Sequence, residues 1–330
     1  MECLVFVEDL QEISGESPGG SAIAQQPPGG KKHTRLKETL IDCDFSSPLQ
    51  SLSRPPYSVD SVAMLVPVPE LPERTEMRKA LRDLINHVTN LQVDQISMFP
   101  SEIDQLRFEC MALDEKSADR PSFFTPLPAS LLRDPDDDFD REYEMKYQTF
   151  DSAPDDLRGP KSCAMRIDDY FSHYAGHCSY IIPKEDLVWS SVNFDIVAPY
   201  LNLHRYAHPE FGTTWVEEVR KGPYSQVKTT IYNNLNADDE HILEGELLSV
   251  LRLMMAHLRR GRFVDHMIAP VMAFSFMGPQ HARVIEGYME GHTVVVRPSK
   301  LYDLRTKDEA AFKTLAEWYF GKPRGPTLPS

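Results

Sequence analysis

Apolar positions recur along this chain with two different periods, and the change between them organises the reading. From Glu73 to Leu91, Met77, Leu81, Leu84, Ile85, Val88 and Leu91 return at helical intervals, with Leu71 just ahead. Such spacing lines one face of a helix, and Pro72 suits its first turn. The residues from Glu102 to Met111 predict a second, shorter helix. Upstream, the run SVAMLVPVPEL (61–71) lies among Pro48, Pro55, Pro56, Pro67, Pro69 and Pro72. It predicts an edge strand, where proline is tolerated.

Toward the carboxy terminus the pattern sharpens. Ile242, Leu243, Leu247, Val250, Leu251, Met254, Met255 and Leu258 form a wide apolar helical face, capped by Asn236 or Asp238 and running to about Arg260. Asp239 and Glu240 suit its positive end, Arg259 and Arg260 its negative end, and Gly261 its stop. Ile268 to Met277 is nearly all apolar and reads as a buried strand. After a Gly278-Pro279 turn, Ala282–Met289 and Thr293–Arg297 read as strands joined by a hairpin at Glu290-Gly291. Thr306-x-x-Glu309 has the form of a capping box. It opens a helix to Phe320, with Ala310, Phe312, Leu315, Ala316 and Tyr319 inward.

These elements predict an α+β fold. A helix, a three-stranded antiparallel meander and a helix form the carboxy-terminal end, and further helices pack upstream. Dense aromatic and branched residues from Tyr170 to Val197 supply more core, and another element lies near Trp215 to Arg220, ahead of Gly222 and Pro223. Four segments follow: a disordered lead-in over 1–45, a proline-rich stretch with one or two helices over 46–133, an acidic linker over 134–160, and a globular domain over 161–330.

Charge supports that partition. The net charge is −15, and ten acids against two bases between Asp134 and Asp156 place −8 of it in one stretch. Blocks of like charge repel and stay extended, so the stretch reads as a solvated linker. Its DPDDDFDRE pattern lacks the glycine and final glutamate of a calcium loop. No basic footprint for a phosphate backbone is present, so no nucleic-acid partner is expected, while a protein partner remains open. The five cysteines, Cys3, Cys43, Cys110, Cys163 and Cys178, show no C-x-x-C spacing and read as free thiols. The amino terminus lacks the basic start and apolar stretch of a signal peptide, and no window matches a membrane span. An intracellular protein, cytoplasmic or nuclear, with no membrane association is expected.

Candidate chemistry is sparse. His173/His177 and His204/His208 have the i, i+4 spacing of zinc ligands on a helix, but the first pair lacks the glutamate of H-E-x-x-H and the second sits beside Pro209. Structural histidines and no metal are expected. Nucleotide loops and the G-x-S-x-G nucleophile turn are missing, so no cofactor is expected. Arg259, Arg260 and Arg262 read as a helix terminus, and Met254, Met255, Met267, Met272 and Met277 as adaptable core.

The stretch APVMAFSFMGPQHARVIEGYMEGHTVVVRPSKLYDLR, Ala269 to Arg305, resembles a group of filamentous-fungal proteins with no established activity. That resemblance extends over the flanking helices, from Asn236 to Phe320, and implies a source and no mechanism. A looser, topological one is to the restriction-endonuclease-like core, which also begins with a helix, a three-stranded meander and a helix. Such a core needs an acid on its second strand and acid-x-Lys on its third to hold Mg²⁺. The candidates it implies are Glu246, Glu286 and Lys300, but Pro298 stands where the acid before Lys300 belongs. Two readings therefore stand: an accessory or interaction protein without a catalytic site, and an enzyme. The enzyme would be a rewired nuclease-like domain or a small-molecule enzyme of a biosynthetic pathway.

Overall fold

Helix α1 (Pro72–Leu91) forms on the predicted spacing, burying Met77, Leu81, Leu84 and Val88 and ending at left-handed Gln92. The computed structural model describes residues 70–328, apart from 100, 102, 193–199, 201, 220, 221 and 223. The lead-in over 1–45 and nearly all of the apolar run at 61–71 lie outside the described residues. After α1 come strands β1 (Gln95–Ser97), β2 (Leu106–Phe108) and β3 (Phe124–Thr125), then helices α2 (Asp137–Glu142) and α3 (Pro160–Ile181). Next are β4 (Trp189–Ser191), β5 (His204–Arg205), β6 (Phe211–Val219), β7 (Val227–Asn236), β8 (His241–Leu243) and helix α4 (Glu244–Leu258). The chain closes with β9 (Val271–Gly278), β10 (His281–Glu290), β11 (Thr293–Pro298), β12 (Tyr302–Asp303), α5 (Glu309–Phe320) and β13 (Lys322–Pro323).

The fold is α+β, organised around a sheet of order β2-β11-β10-β9-β7-β6-β4 among the described residues. Two antiparallel blocks, β4-β6-β7 and β9-β10-β11, meet at a parallel seam between β7 and β9. Parallel neighbours need a crossover, and α4 supplies it. Helix α4 covers one face with α1 behind it, while α3 and α5 cover the other. Gly287 permits the close approach of α4, since a Cβ there would lie 2.4 Å from Val250.

Three local expectations change. The segment read as a second helix contains β2 instead, parallel to β11, with Leu106 and Phe108 inward and Arg107 outward. Ile103 and Leu106 imitate a helical interval, but an alternating strand satisfies the burial. Neither Asn236 nor Asp238 caps α4. Asn236 ends β7, and Asp238 Oδ1 accepts from the amides of Glu240 (2.9 Å) and His241 (2.8 Å), turning the chain into β8. Helix α5 is capped by Asp308, whose Oδ1 accepts from Ala311 N at 2.9 Å. A carboxylate is a strong acceptor at a positive helix end. The inward face accordingly carries Ala311, and Ala310 is exposed.

The acidic stretch over 134–160 is no solvated linker. Phe139 is fully buried, its ring edge-on to Tyr174 at 5.7 Å and to Tyr170 at 6.3 Å. Asp140 accepts from Tyr170 Oη at 2.8 Å and Lys307 Nζ at 2.9 Å, and Asp134 pairs with Lys313. Arg133, Arg141 and Arg158 pair with Glu142, Asp138 and Asp155 locally, while the bases that meet Asp134 and Asp140 come from α5 and its approach, far along the sequence. A charge sum over a local window does not count them.

Candidate functional site

The acids nominated by topology are held apart. Side chains alternate across a strand, so Arg283 and Glu286 on β10 face opposite sides of the sheet. Arg283 meets Glu246 of α4 in a fully buried bidentate pair, Nε to Oε1 at 2.8 Å, and Glu246 Oε2 also accepts from Leu243 N at 2.9 Å. Glu286, on the other face, accepts from the amides of Ser122 (2.9 Å) and Phe123 (2.8 Å) and from Arg297 Nη1 (2.8 Å). The sheet passes between the two carboxylates, so they cannot share one metal ion. Lys300 is exposed beside Tyr302 at a groove of about 600 Å³ lined by Met98, Phe99 and Met111. These three residues do not form one site.

The histidines fare similarly. His173 and His177 do lie on one helix, α3. His177 packs 4.5 Å from the Tyr143 ring, with Arg133 Nη1 3.4 Å from its Nε2. Burial and that guanidinium lower its pKa. His173 stands by Asp169, its Nδ1 2.9 Å from the Asp169 carbonyl. His208 lies 3.3 Å from Asp94. Among the described residues, no three His, Cys, Asp or Glu side chains converge as a metal site. Arg260 and Arg262 turn to the buried carboxylate of Glu218, which Tyr200 also meets. Tyr200 Oη lies 2.9 Å from Nε2 of fully buried His257. That cluster satisfies itself.

A different group of titratable residues converges on a cavity of about 190 Å³ between α3 and the sheet. Ser172, Ala175, Gly176 and Ser179 of α3 line it, spaced so that small side chains share one helix face, while Phe171 forms its floor. Trp215 and Glu217 of β6, Thr230 of β7 and Ser191 of β4 form the opposite wall, and Tyr319 and Phe320 of α5 close the end. A β-bulge between Thr213 and Trp215 turns two consecutive residues to this face. Thr214 donates to Asp168 at 3.2 Å and lies 2.6 Å from Thr230 Oγ1, while Trp215 reaches the cavity rim half-exposed.

Behind that wall lies a buried lysine. Lys228 is the cross-strand partner of Glu217 and is fully enclosed. Its Nζ donates to the carbonyls of Trp318 (3.3 Å), Tyr319 and Gly321 (3.0 Å), and stands 4.0 Å from the Trp189 ring centre. These are the orphan carbonyls and negative pole of the α5 terminus. Gly321 is required there because a Cβ would fall 2.1 Å from the Thr125 carbonyl oxygen. An ammonium has three hydrogens, and all three are engaged.

Burial sets the electrostatics of the group. It raises the Asp168 carboxyl to about 7 against the Thr214 hydrogen bond. It raises Glu217, with Lys228 and the Tyr319 hydroxyl opposing, and raises Tyr319, with Glu217 adding to the rise. It lowers Lys228, with Glu217 opposing. The cavity therefore offers a carboxyl and several hydroxyls, and Lys228 presents it no free donor. Sequence periodicity missed Asp168, Glu217 and Lys228, and gave Tyr319 only as an inward residue of the last helix. The available signal was a lysine inside the buried strand run QVKTTIY and a small-residue stripe in SHYAGHCS.

No family model, curated protein or solved structure matches this chain.

Proposed function

We propose that this chain is an accessory protein that works by binding rather than by hydrolysis, with the cavity between α3, β6, β7 and α5 as its binding site. One observation carries the reading. The Nζ of Lys228, buried behind the cavity wall, is directed at three carbonyls around the end of α5. Directed at those carbonyls and away from the cavity, it presents a guest with neither a base nor a donor for a developing negative charge. Cys110, Cys163 and Cys178 are unpaired, which supports an intracellular setting, cytoplasmic or nuclear.

A second reading has its own support. The succession α3, β4, β6, β7, α4 also runs helix, three antiparallel strands, helix, and then continues into β9 parallel to β7. This order, rather than α4 through α5, parallels the restriction-endonuclease-like core. Glu217 lies on the second of these strands and Lys228 on the third. Gln226 stands where the acid of acid-x-Lys belongs, its Nε2 donating to the Arg324 carbonyl at 3.0 Å. The likeness is one of topology alone, and the missing acid weakens any Mg²⁺ site.

The two readings separate in a cleavage assay. Full-length protein is incubated with single- and double-stranded DNA and Mg²⁺ or Mn²⁺, beside Glu217→Gln. No cleavage is expected from either protein. Cleavage by the wild type that disappears in Glu217→Gln would replace the binding reading with the metal-dependent nuclease.

A further inference from the structure

We propose that the α3–β6–β7–α5 cavity binds a small alkylammonium ligand, its positive head against Glu217 and its alkyl groups against Phe171, Trp215 and Tyr319. This rests on the reading of the cavity as a binding site and names the chemistry that the site selects.

Size comes first. A volume of about 190 Å³ is below the roughly 300–1,000 Å³ of sites for drug-sized molecules. It admits a compact group of a few heavy atoms and excludes a nucleotide or a folded peptide. Charge comes second. Glu217 is the ionisable acid on the wall, and no lysine or arginine lines the cavity. Lys228 is turned away to the α5 carbonyls. A phosphate or carboxylate would therefore meet Glu217 without a compensating cation. The aromatic lining comes third. Phe171, Trp215, Tyr319 and Phe320 contribute to one small space, and aromatic faces attract cations, most of all quaternary ammonium groups whose methyls also gain apolar contact. A wholly apolar guest would cover the Ser172 and Ser191 hydroxyls without giving them a partner.

The structure also supplies a way to close the site without opening the core. A Cβ built at Gly176 meets nothing within 4 Å, and Gly176 lines the cavity from a helix that gains stability when glycine is replaced. Gly176→Leu therefore projects a side chain toward open space while α3 keeps its buried face.

The experiment titrates the full chain with choline, tetramethylammonium, acetate and 3,3-dimethylbutan-1-ol, the uncharged isostere of choline. Thermal shift and tryptophan fluorescence are the readouts. Both cations should raise the Tm and alter the fluorescence, with at least tenfold weaker binding of the isostere and none of acetate. Gly176→Leu should retain the wild-type Tm or exceed it and lose the response. Glu217→Gln should bind the two cations at least tenfold more weakly. Equal binding of choline and its isostere, abolished by Gly176→Leu, would overturn the cation assignment and leave the cavity as a binding site. A response that survives in Gly176→Leu would overturn both the assignment and the site. Absence of any response to choline and tetramethylammonium would overturn the assignment.

Discussion

The core beneath α4 is almost wholly aliphatic, with leucine, valine, isoleucine and methionine, whereas the core beneath α3 and α5 mixes aliphatic residues with most of the buried phenylalanine, tyrosine and tryptophan. Flexible aliphatic chains interdigitate and close small gaps. Rings are rigid plates, and the polar atoms of tyrosine and tryptophan need partners when buried. The two faces handle charge accordingly. Under α4, Arg283 and Glu246 form a sealed pair with no exposed surface. Under α3 and α5, Glu217 and Tyr319 line a cavity, with Asp168 and Lys228 buried behind its lining. The comparison teaches that burial of charge alone does not mark a site, because a saturated pair and a cavity-lining group are both buried.

The largest expected effect breaks the sealed pair. Arg283→Met alone leaves Glu246 buried without its partner and should cost about 3–5 kcal/mol in urea unfolding. Glu246→Leu combined with Arg283→Met should recover most of that loss. A double variant as unstable as the single one would show that the pair does more than neutralise itself.

Packing should be costly on both faces. Phe274→Ala beneath α3 and Leu251→Ala on α4 remove side chains with almost no exposure, and each should destabilise by roughly 2–5 kcal/mol. A loss well under 1 kcal/mol at Phe274 would mean that the aromatic face is looser than described.

The polar network gives a pH signature. Folding moves Asp168 from 3.8 to about 7, so between those values the folded state binds more protons than the unfolded one. Its contribution is complete below about pH 4 and is lost as pH rises through about 7. Asp168→Asn keeps an acceptor for Thr214 and removes the ionisation. It should match the wild type near pH 4 and exceed its stability by roughly 2–4 kcal/mol at pH 8, at about 1.4 kcal/mol per pH unit. A constant difference across that range would place the Asp168 carboxyl in an ordinary environment.

The smallest effect tests the rim of the aromatic face. Lys313 on α5 pairs with the exposed Asp134. Lys313→Ala should change stability by no more than about 1 kcal/mol, as exposed pairs do. A larger loss would mean that Asp134 and its neighbours are anchored mainly through this pair, and not through Phe139.

Elements with a strong local period were legible in the sequence. Helix α1, the apolar face of α4, the strands β9, β10 and β11, and α5 follow from spacing, because 3.6- and 2-residue periods are local properties of a chain. Their ends were less so. The start of α4 is set by Glu246, which accepts from Leu243 N, and not by Asn236 or Asp238, and the start of α5 by Asp308 and not by Thr306, choices that composition does not make. The place of residues 134–160 depended on three-dimensional proximity, since Lys307 and Lys313 neutralise acids well over a hundred residues away. The candidate site depended on it entirely. Glu217 and Lys228 face each other only through strand register, Thr214 and Trp215 share a side only through a bulge, and the lysine is saturated only because α5 ends above it. The sequence by itself determined the periodic elements, since each needs only near neighbours. Tertiary structure decided which polar groups meet, which are neutralised and which line a cavity, since those outcomes depend on distances between residues that the chain order does not contain.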